Sequence, residues 1–422
     1  GSAWAPGQGP IPMMGPMNGS CVSPLRMGEI LIERRSTYGQ DCGSPGQETL
    51  PPQVIYVQNS VHLAGAQKSL SRLLSAPQLQ RFSPRLLTGE EGWLTSHCSA
   101  SGIPWHRLEF PSSRSMAGRI WGNRRFAAHA AELLTPHLDP GRARIVHAND
   151  HPDSLLGLTL AERLGAAPVL TLRTPGMSER DFEKYRCADH RHLIAVGTDL
   201  CAKVRKWAGS VPVSLVFNGV TPEEIIAPVS PAPNSLERIV VLGSMSPRKG
   251  WRDLVDALLI LEDRLPEGKL PEFHFLGDCL NTVPEDLLGT ARLRRFRVRF
   301  LGVVAAYREQ LREYPLAIHP SRDESFGMAA LECVAAGVPL LAASTGMIPE
   351  FIPQEAFRYA PGDVAGLAAR LETLFSSGPA ELVDRFDFST SRDRIDTHFS
   401  TEGTVARLGE IYRDVSSGVA NC

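Results

Sequence analysis

Residues 321–342 read SRDESFGMAALECVAAGVPLLA, a small and apolar stretch with one acid near its head, Glu324, and a second, Glu332, eight positions on. The run before it, LAIHPS (316–321), is short and apolar, as a buried strand is. RDES is a polar loop, and FGMAALECVAA has a helical composition. Gly337 suits the helix end, Pro339 follows the stop, and VPLLAA (338–343) makes the next strand. Strand, loop, helix and strand in that order form a parallel βαβ unit, and such sheets take ligands in the loops beyond the carboxyl ends of their strands. Glu324 falls in such a loop. The backbone NH groups of Ser325, Phe326, Gly327 and Met328 open the helix, and a helix start is a natural seat for phosphate. Glu332 follows about 12 Å along the axis at ~1.5 Å per residue, a separation that fits the two ends of a nucleoside diphosphate sugar. The pattern alone leaves a second reading open, a solvated loop acid and an acid at the polar edge of an amphipathic helix. Against it, the neighbours Leu331, Cys333 and Val334 are apolar, and an unpaired buried carboxylate is costly.

The alternation extends over most of the chain. In the first half, strand-length runs occur at 54–60, 105–110, 144–149, 168–173 and 192–197; in the second, at 238–244, 272–278, 298–302, 316–321 and 338–343, with helical runs between. Two successive doubly wound α/β units are expected. At 422 residues the chain is too long for one ordinary core. The joint is expected near VFNGVTPEEIIAPVSPAPNS (216–235), which holds an Asn-Gly turn and four prolines. The predicted division is an N-terminal extension at 1–52, a first domain at 53–216, a second at 217–397, and a final helix at 398–422. The extension is rich in Gly, Pro and Met, its leading Gly-Ser is typical of a cloning scar, and a short apolar piece, GEILIERR, is expected to pack on the body.

A formal net charge of −2 offers no electrostatic case for a nucleic-acid binder. Any anionic ligand must be caught locally. The eight cysteines form no CxxC pair and fit free thiols in a reducing compartment. No apolar run approaches the roughly 20 residues that span a bilayer, so a soluble, cytoplasmic protein is expected, with docking on a membrane surface left open.

The run PS-x2-ESFGM-x3-E-x3-AGVP resembles the E-x7-E signature of the family-4 retaining glycosyltransferases, two-domain enzymes of the GT-B fold. Further stretches support the resemblance in order: NSVHLAGAQKSLSRL is similar to the family's glycine-rich opening loop, and IVHANDHPDSLLGLTLAERLGAAPVLTLR to its histidine-bearing strand and following helix. VFNGV resembles the hinge, and LGSMSPRKGWRDLVDAL the glycine loop and basic pair of the C-terminal domain. FLGD and VRFLGVV resemble the strands near the base, and STGMIPEFI a Gly-Gly-x-Pro-Glu turn. The likeness covers the chain from Gln53 to the end, and it implies that the final helix, 398–422, returns to brace the first domain.

The resemblance implies a fold of two Rossmann-like domains facing a cleft, and transfer of a hexosyl group, with retention, from a nucleoside diphosphate sugar to a hydroxyl of a glycan, lipid-linked or small-molecule acceptor. No cofactor or metal is implied, because basic side chains and a helix terminus do the charge work of an ion. Lys249 matches the family's diphosphate-binding lysine. The usual arginine after Gly243 is Ser244 here, and Arg248 is the candidate replacement. Glu324, with Ser325, Phe326, Gly327 and Met328, would hold the donor sugar, and Glu332 the ribose. Gly65 and Ala66 would approach by backbone. His147 and Asn149 lie where relatives carry a His-x-His strand end, and Asp150 and Arg173 are candidates for the acceptor side. Ser244 and Asn149 depart from the family pattern. They keep open a non-catalytic scaffold, and the fold itself keeps open a nucleotide-sugar epimerase.

Overall fold

Strands covered on both faces read as continuous apolar runs rather than as alternating ones, and those runs become the parallel strands of two sheets. The structure is a computed structural model. It describes residues 50–111, 116–228, 236–244, 246–266, 268, 270–277, 289–304, 307–376 and 379–417, with the backbone alone for 116–120 and 379. Residues 1–49 of the extension with the GEILIERR piece, residues 229–235 of the expected joint, the cysteines at 21, 42, 279 and 422, and Asp278 of FLGD lie outside the described residues. Cys98, Cys187, Cys201 and Cys333 are free and buried.

The first sheet holds β1 (Gln53–Val57), β2 (Arg85–Thr88), β3 (Trp105–Arg107), β4 (Arg144–Ala148), β5 (Ala167–Leu172), β6 (His192–Ala195) and β7 (Val213–Leu215), in the order β3-β2-β1-β4-β5-β6-β7. The second holds β8 (Arg238–Leu242), β9 (Glu272–Leu276), β10 (Arg297–Gly302), β11 (Ala317–His319), β12 (Leu340–Ala343) and β13 (Arg358–Tyr359), in the order β10-β9-β8-β11-β12-β13. All the pairings are parallel. In each sheet the strand order reverses beside the first strand, between β1 and β4 and between β8 and β11. A crevice opens at such switch points.

The helices that shape those crevices are α1 (Gly65–Ser75), α2 (Ser154–Leu164), α3 (Trp251–Glu262), α4 (Met328–Ala335) and α5 (Thr401–Ser417). Alternate residues of β1 face opposite layers. Val54 and Tyr56 join Leu70, Leu73, Val405, Leu408 and Tyr412, while Ile55 and Val57 join Phe126, Leu160 and Leu164. The chain's last described helix, α5, is thus core to the first sheet.

To reach that sheet the chain crosses between the domains twice, side by side. Val220 donates to Phe399 O and Thr401 donates to Val220 O, each at 2.9 Å, around a parallel bridge of Val220 with Ser400. Gly219 of the Asn-Gly pair is required here for closeness. A Cβ on it would stand 2.2 Å from the Ser400 carbonyl carbon.

Candidate active-site cleft

Both switch points open on one cavity of about 680 Å³, whose lining includes Gly65, Ala66, Asp150 and Arg173 from the first domain and Gly243, Ser244, Arg248, Lys249, Glu324 to Met328 and Glu332 from the second. The structure therefore brings most of the sequence-derived candidates to one cleft. Its floor is charged. Glu324, in the loop after β11, accepts from Lys249 Nζ on Oε1, and Arg248 Nη1 lies 3.9 Å from Oε2. His319, at the end of β11 and fully buried, places Nε2 3.1 Å from the same Oε1 and Nδ1 3.1 Å from Leu242 O. Burial opposes ionisation of Glu324, but the His319 hydrogen bond and the Lys249 charge outweigh it and hold the carboxyl well below the usual range.

Arg248 also donates to Asp323 O at 2.6 Å and stays 43% exposed, so its guanidinium stands at the cleft with room to move. Ser244 lines the same wall, and the backbone there is tight. Gly277 approaches so closely that a Cβ on it would overlap Gly243 O. Helix α4 starts at Met328, two residues later than its sequence suggests, because Gly327 at φ 100° is its N-cap and Phe326 turns its ring to Phe217 and Phe399. Phe326 offers the cleft mainly its backbone. Across the gap Gly65 opens α1, and a Cβ there would touch Met328 Cβ at 3.6 Å. Two helix starts face each other. Ser325 Oγ closes the gap further by donating to Arg173 O at 2.5 Å.

Glu332 is buried but paired. Arg72 Nη2 reaches Oε1 at 2.5 Å and Lys68 Nζ reaches Oε2 at 3.2 Å, both from α1 of the opposite domain. Burial lowers the Lys68 pKa and the Glu332 charge opposes that shift. The cost of an unpaired acid, which argued for function in the sequence, is met by two cations that the sequence did not single out.

His147 and Asn149 are not brought to the cleft. His147 is buried against Tyr56, with Nδ1 2.6 Å from Tyr412 Oη and Nε2 2.7 Å from Thr171 Oγ1, and burial pushes its pKa down to about 3. A ring so enclosed is structural. Asn149 Oδ1 accepts from Arg173 Nε at 3.1 Å and Nη2 at 2.9 Å. Arg173 also donates to Asn218 at 2.7 Å, and burial draws it down to about 10. It lines the cleft with its donors already engaged, which suits a brace better than a free anion contact. Asp150 accepts from His151 N, Arg173 N and Thr174 Oγ1 at 2.8, 3.1 and 3.0 Å. Burial works against its ionisation, and the His151 contacts prevail and keep its pKa low. Sequence reasoning passed over Lys68, Arg72, Tyr307 and His319. The only local sign was that Lys68 and Arg72 share one face of α1 at i, i+4 spacing.

Residues 237–377 match the family model described as glycosyl transferases group 1. That match lies within the second domain and covers about a third of the chain. The sulfoquinovosyl transferase SQD2 of Arabidopsis thaliana is 26% identical over 198 residues, 44% of this chain and 35% of its own. The D-inositol 3-phosphate glycosyltransferase of Jonesia denitrificans is 36% identical over 116 residues, 26% of this chain and 27% of its own. A gpi3 subunit of the Schizosaccharomyces pombe phosphatidylinositol N-acetylglucosaminyltransferase is 23% identical over 243 residues, 56% of this chain and 51% of its own. The chain thus spans about a quarter to a half of the length of these relatives. Among solved structures, Anabaena Alr3699/HepE in complex with UDP and glucose superposes with a TM-score of 0.68 at 17% identity, over 85% of this chain and 99% of that one. A glycosyltransferase from Rickettsia africae gives 0.70 at 17%, over 86% and 98%. The likeness shows a GT-B fold for this chain. Among the described residues, no helix is long and apolar enough to cross a membrane.

Proposed function

We propose that this chain is a retaining glycosyltransferase that moves a hexosyl group from a nucleoside diphosphate sugar to a hydroxyl of a glycan, lipid-linked or small-molecule acceptor, in the cytoplasm and without a metal. The observation that carries the reading is the Lys249–Glu324–His319 cluster on the floor of a cleft between two facing helix starts. The Anabaena neighbour's complexes with UDP and UDP-glucose support a donor of this class.

In this reading, Lys249 and Arg248 and the start of α4 receive the diphosphate and stabilise the charge that grows as the bond from the anomeric carbon to the phosphate oxygen breaks. The new bond, from the acceptor oxygen to that carbon, forms on the same face, and the acceptor's proton passes to the leaving phosphate oxygen. Glu324, fixed by His319, accepts from the sugar hydroxyls. Glu332 accepts from the ribose. The facing domains exclude water, which would otherwise take the acceptor's place.

The test is a thermal-shift panel of UDP, GDP, ADP, TDP and CMP, followed by release of free nucleotide from the matching sugar donors with and without acceptors. A ligand at 100 times its Kd adds about 2.7 kcal/mol of stability, so one nucleoside diphosphate is expected to raise the Tm clearly. No shift with any of them counts against a donor site. Turnover that an Arg248→Ala variant leaves unchanged would remove Arg248 from it.

A further inference from the structure

Glu332 takes its charge partners from across the cleft. Its side chain is 2% exposed, and the two cations at its oxygens, Lys68 and Arg72, both stand on α1 of the first domain. Arg72 continues to a second acid, with Nε 2.8 Å from Glu224 Oε2 and Nη2 2.9 Å from Glu224 Oε1. The segment bearing Glu224 is bound to the second domain, where Ile226 N donates to Ala335 O at 2.8 Å. One helix of the first domain thus sets Arg72 between two acids of the second and adds Lys68 to one of them. Lys68 also lines the donor cleft, its Nζ 3.9 Å from the centre of the Tyr307 ring.

A buried ion pair contributes little net stability, since desolvation offsets the attraction; its best-attested use is to fix geometry. Geometry is what a ribose demands of Glu332. Two neighbouring hydroxyls can donate to one carboxylate only if it is ionised and correctly turned.

We propose that Lys68 and Arg72 are positioning residues for the nucleoside end of the donor site, lent by the opposite domain, so that Glu332 is set to receive the ribose hydroxyls only while the cleft is shut. The inference rests on reading the cleft as a nucleotide-sugar site. Ribose recognition and domain closure are then one equilibrium, and the donor site is composite, incomplete on the second domain alone.

The experiment is calorimetric titration of wild type, Lys68→Met, Arg72→Met and Arg72→Lys with the stabilising nucleoside diphosphate and with its 2′-deoxy analogue, alongside small-angle scattering of the ligand-free proteins. The wild type is expected to prefer the ribonucleotide by about tenfold, the worth of one charge-assisted hydrogen bond. Both Met variants lose most of that preference, their affinity for the ribonucleotide falling by a larger factor than their affinity for the deoxy analogue. Arg72→Lys recovers part of it, and ligand-free Arg72→Met shows a larger radius of gyration. An unchanged preference in the two Met variants overturns the proposal. Should Arg72→Met fail to fold, Lys68→Met decides alone, its side chain being 20% exposed. A wild type that binds none of the nucleotides overturns the donor reading itself, and equal radii in scattering then overturn the interdomain coupling as well.

Discussion

At the scale of single residues, Lys249 and His319 converge on the same oxygen of Glu324, and neither could be replaced without leaving a buried charge short of a partner. Lys249→Ala is expected to cut donor turnover by about 10²- to 10³-fold, as the loss of a preorganised contact to developing charge does elsewhere. A transfer assay with saturating acceptor measures it. Asp153 carries a pH dependence of the opposite kind to Glu324. It is 3% exposed and accepts from Asn59 N at 3.2 Å in the loop that leads to α1, and burial raises its pKa to about 7. A carboxyl raised on folding adds stability that is fully present below its unfolded value and is lost as pH climbs through about 7. Asp153→Asn should therefore gain on the wild type in Tm between pH 5 and pH 8, its lead being larger at pH 8. Equal Tm differences at both values would contradict the assignment. The placing of Glu324, Lys249 and Glu332 in the candidate cleft was legible because the two runs that carry them, 320–339 and 242–258, are long and specific. His319 stood in the quoted sequence, but which way its ring turns is set by β8 beside it, through Leu242 O.

The longer buried strands were the most legible elements. β1, with all five residues buried, and β4 and β5, covered on both faces, announce themselves as apolar runs. β2, β7 and β13, of four, three and two residues, were not foreseen. Runs that short carry no period to detect, and they are strands because a neighbour supplies the ladder. Helix α5 reads from its residues as amphipathic, and only the family likeness implies its return to the first domain. Its tie to the first sheet runs through a polar relay, in which Tyr412 Oη lies 2.7 Å from Tyr56 Oη and 2.6 Å from His147 Nδ1. Tyr412→Phe leaves both partners buried without that hydroxyl, at a cost of about 1–3 kcal/mol each. The Tm should drop by several degrees, and adding Tyr56→Phe should cost less than the two single losses summed, since a shared bond is broken only once.

At the scale of the molecule, the near-neutral charge hides a division of labour that composition could not show: α1 brings cations to the acids of the second domain, and α5 brings apolar bulk back to the first. Neither contact has a local signature, since Lys68 and Glu332 are 264 residues apart and Tyr56 and Tyr412 are 356 apart. The return of α5 fixes which domain needs the end of the chain. Val405, Leu408, Ile411, Tyr412 and Val415 are buried in the core of the first sheet, and at about 1.5–3 kcal/mol for each large side chain their burial contributes on the order of 10 kcal/mol. That matches the whole stability of a typical domain, about 5–15 kcal/mol. A chain ending at residue 400 should thus lose the first domain, although the segment removed is distant from it in sequence. Hydrogen exchange is expected to show protection collapsing in β1, β4 and α1 while β8, β11 and β12 stay protected. Equal loss in both sheets would mean that the two domains fold as a single cooperative unit, with α5 bracing both.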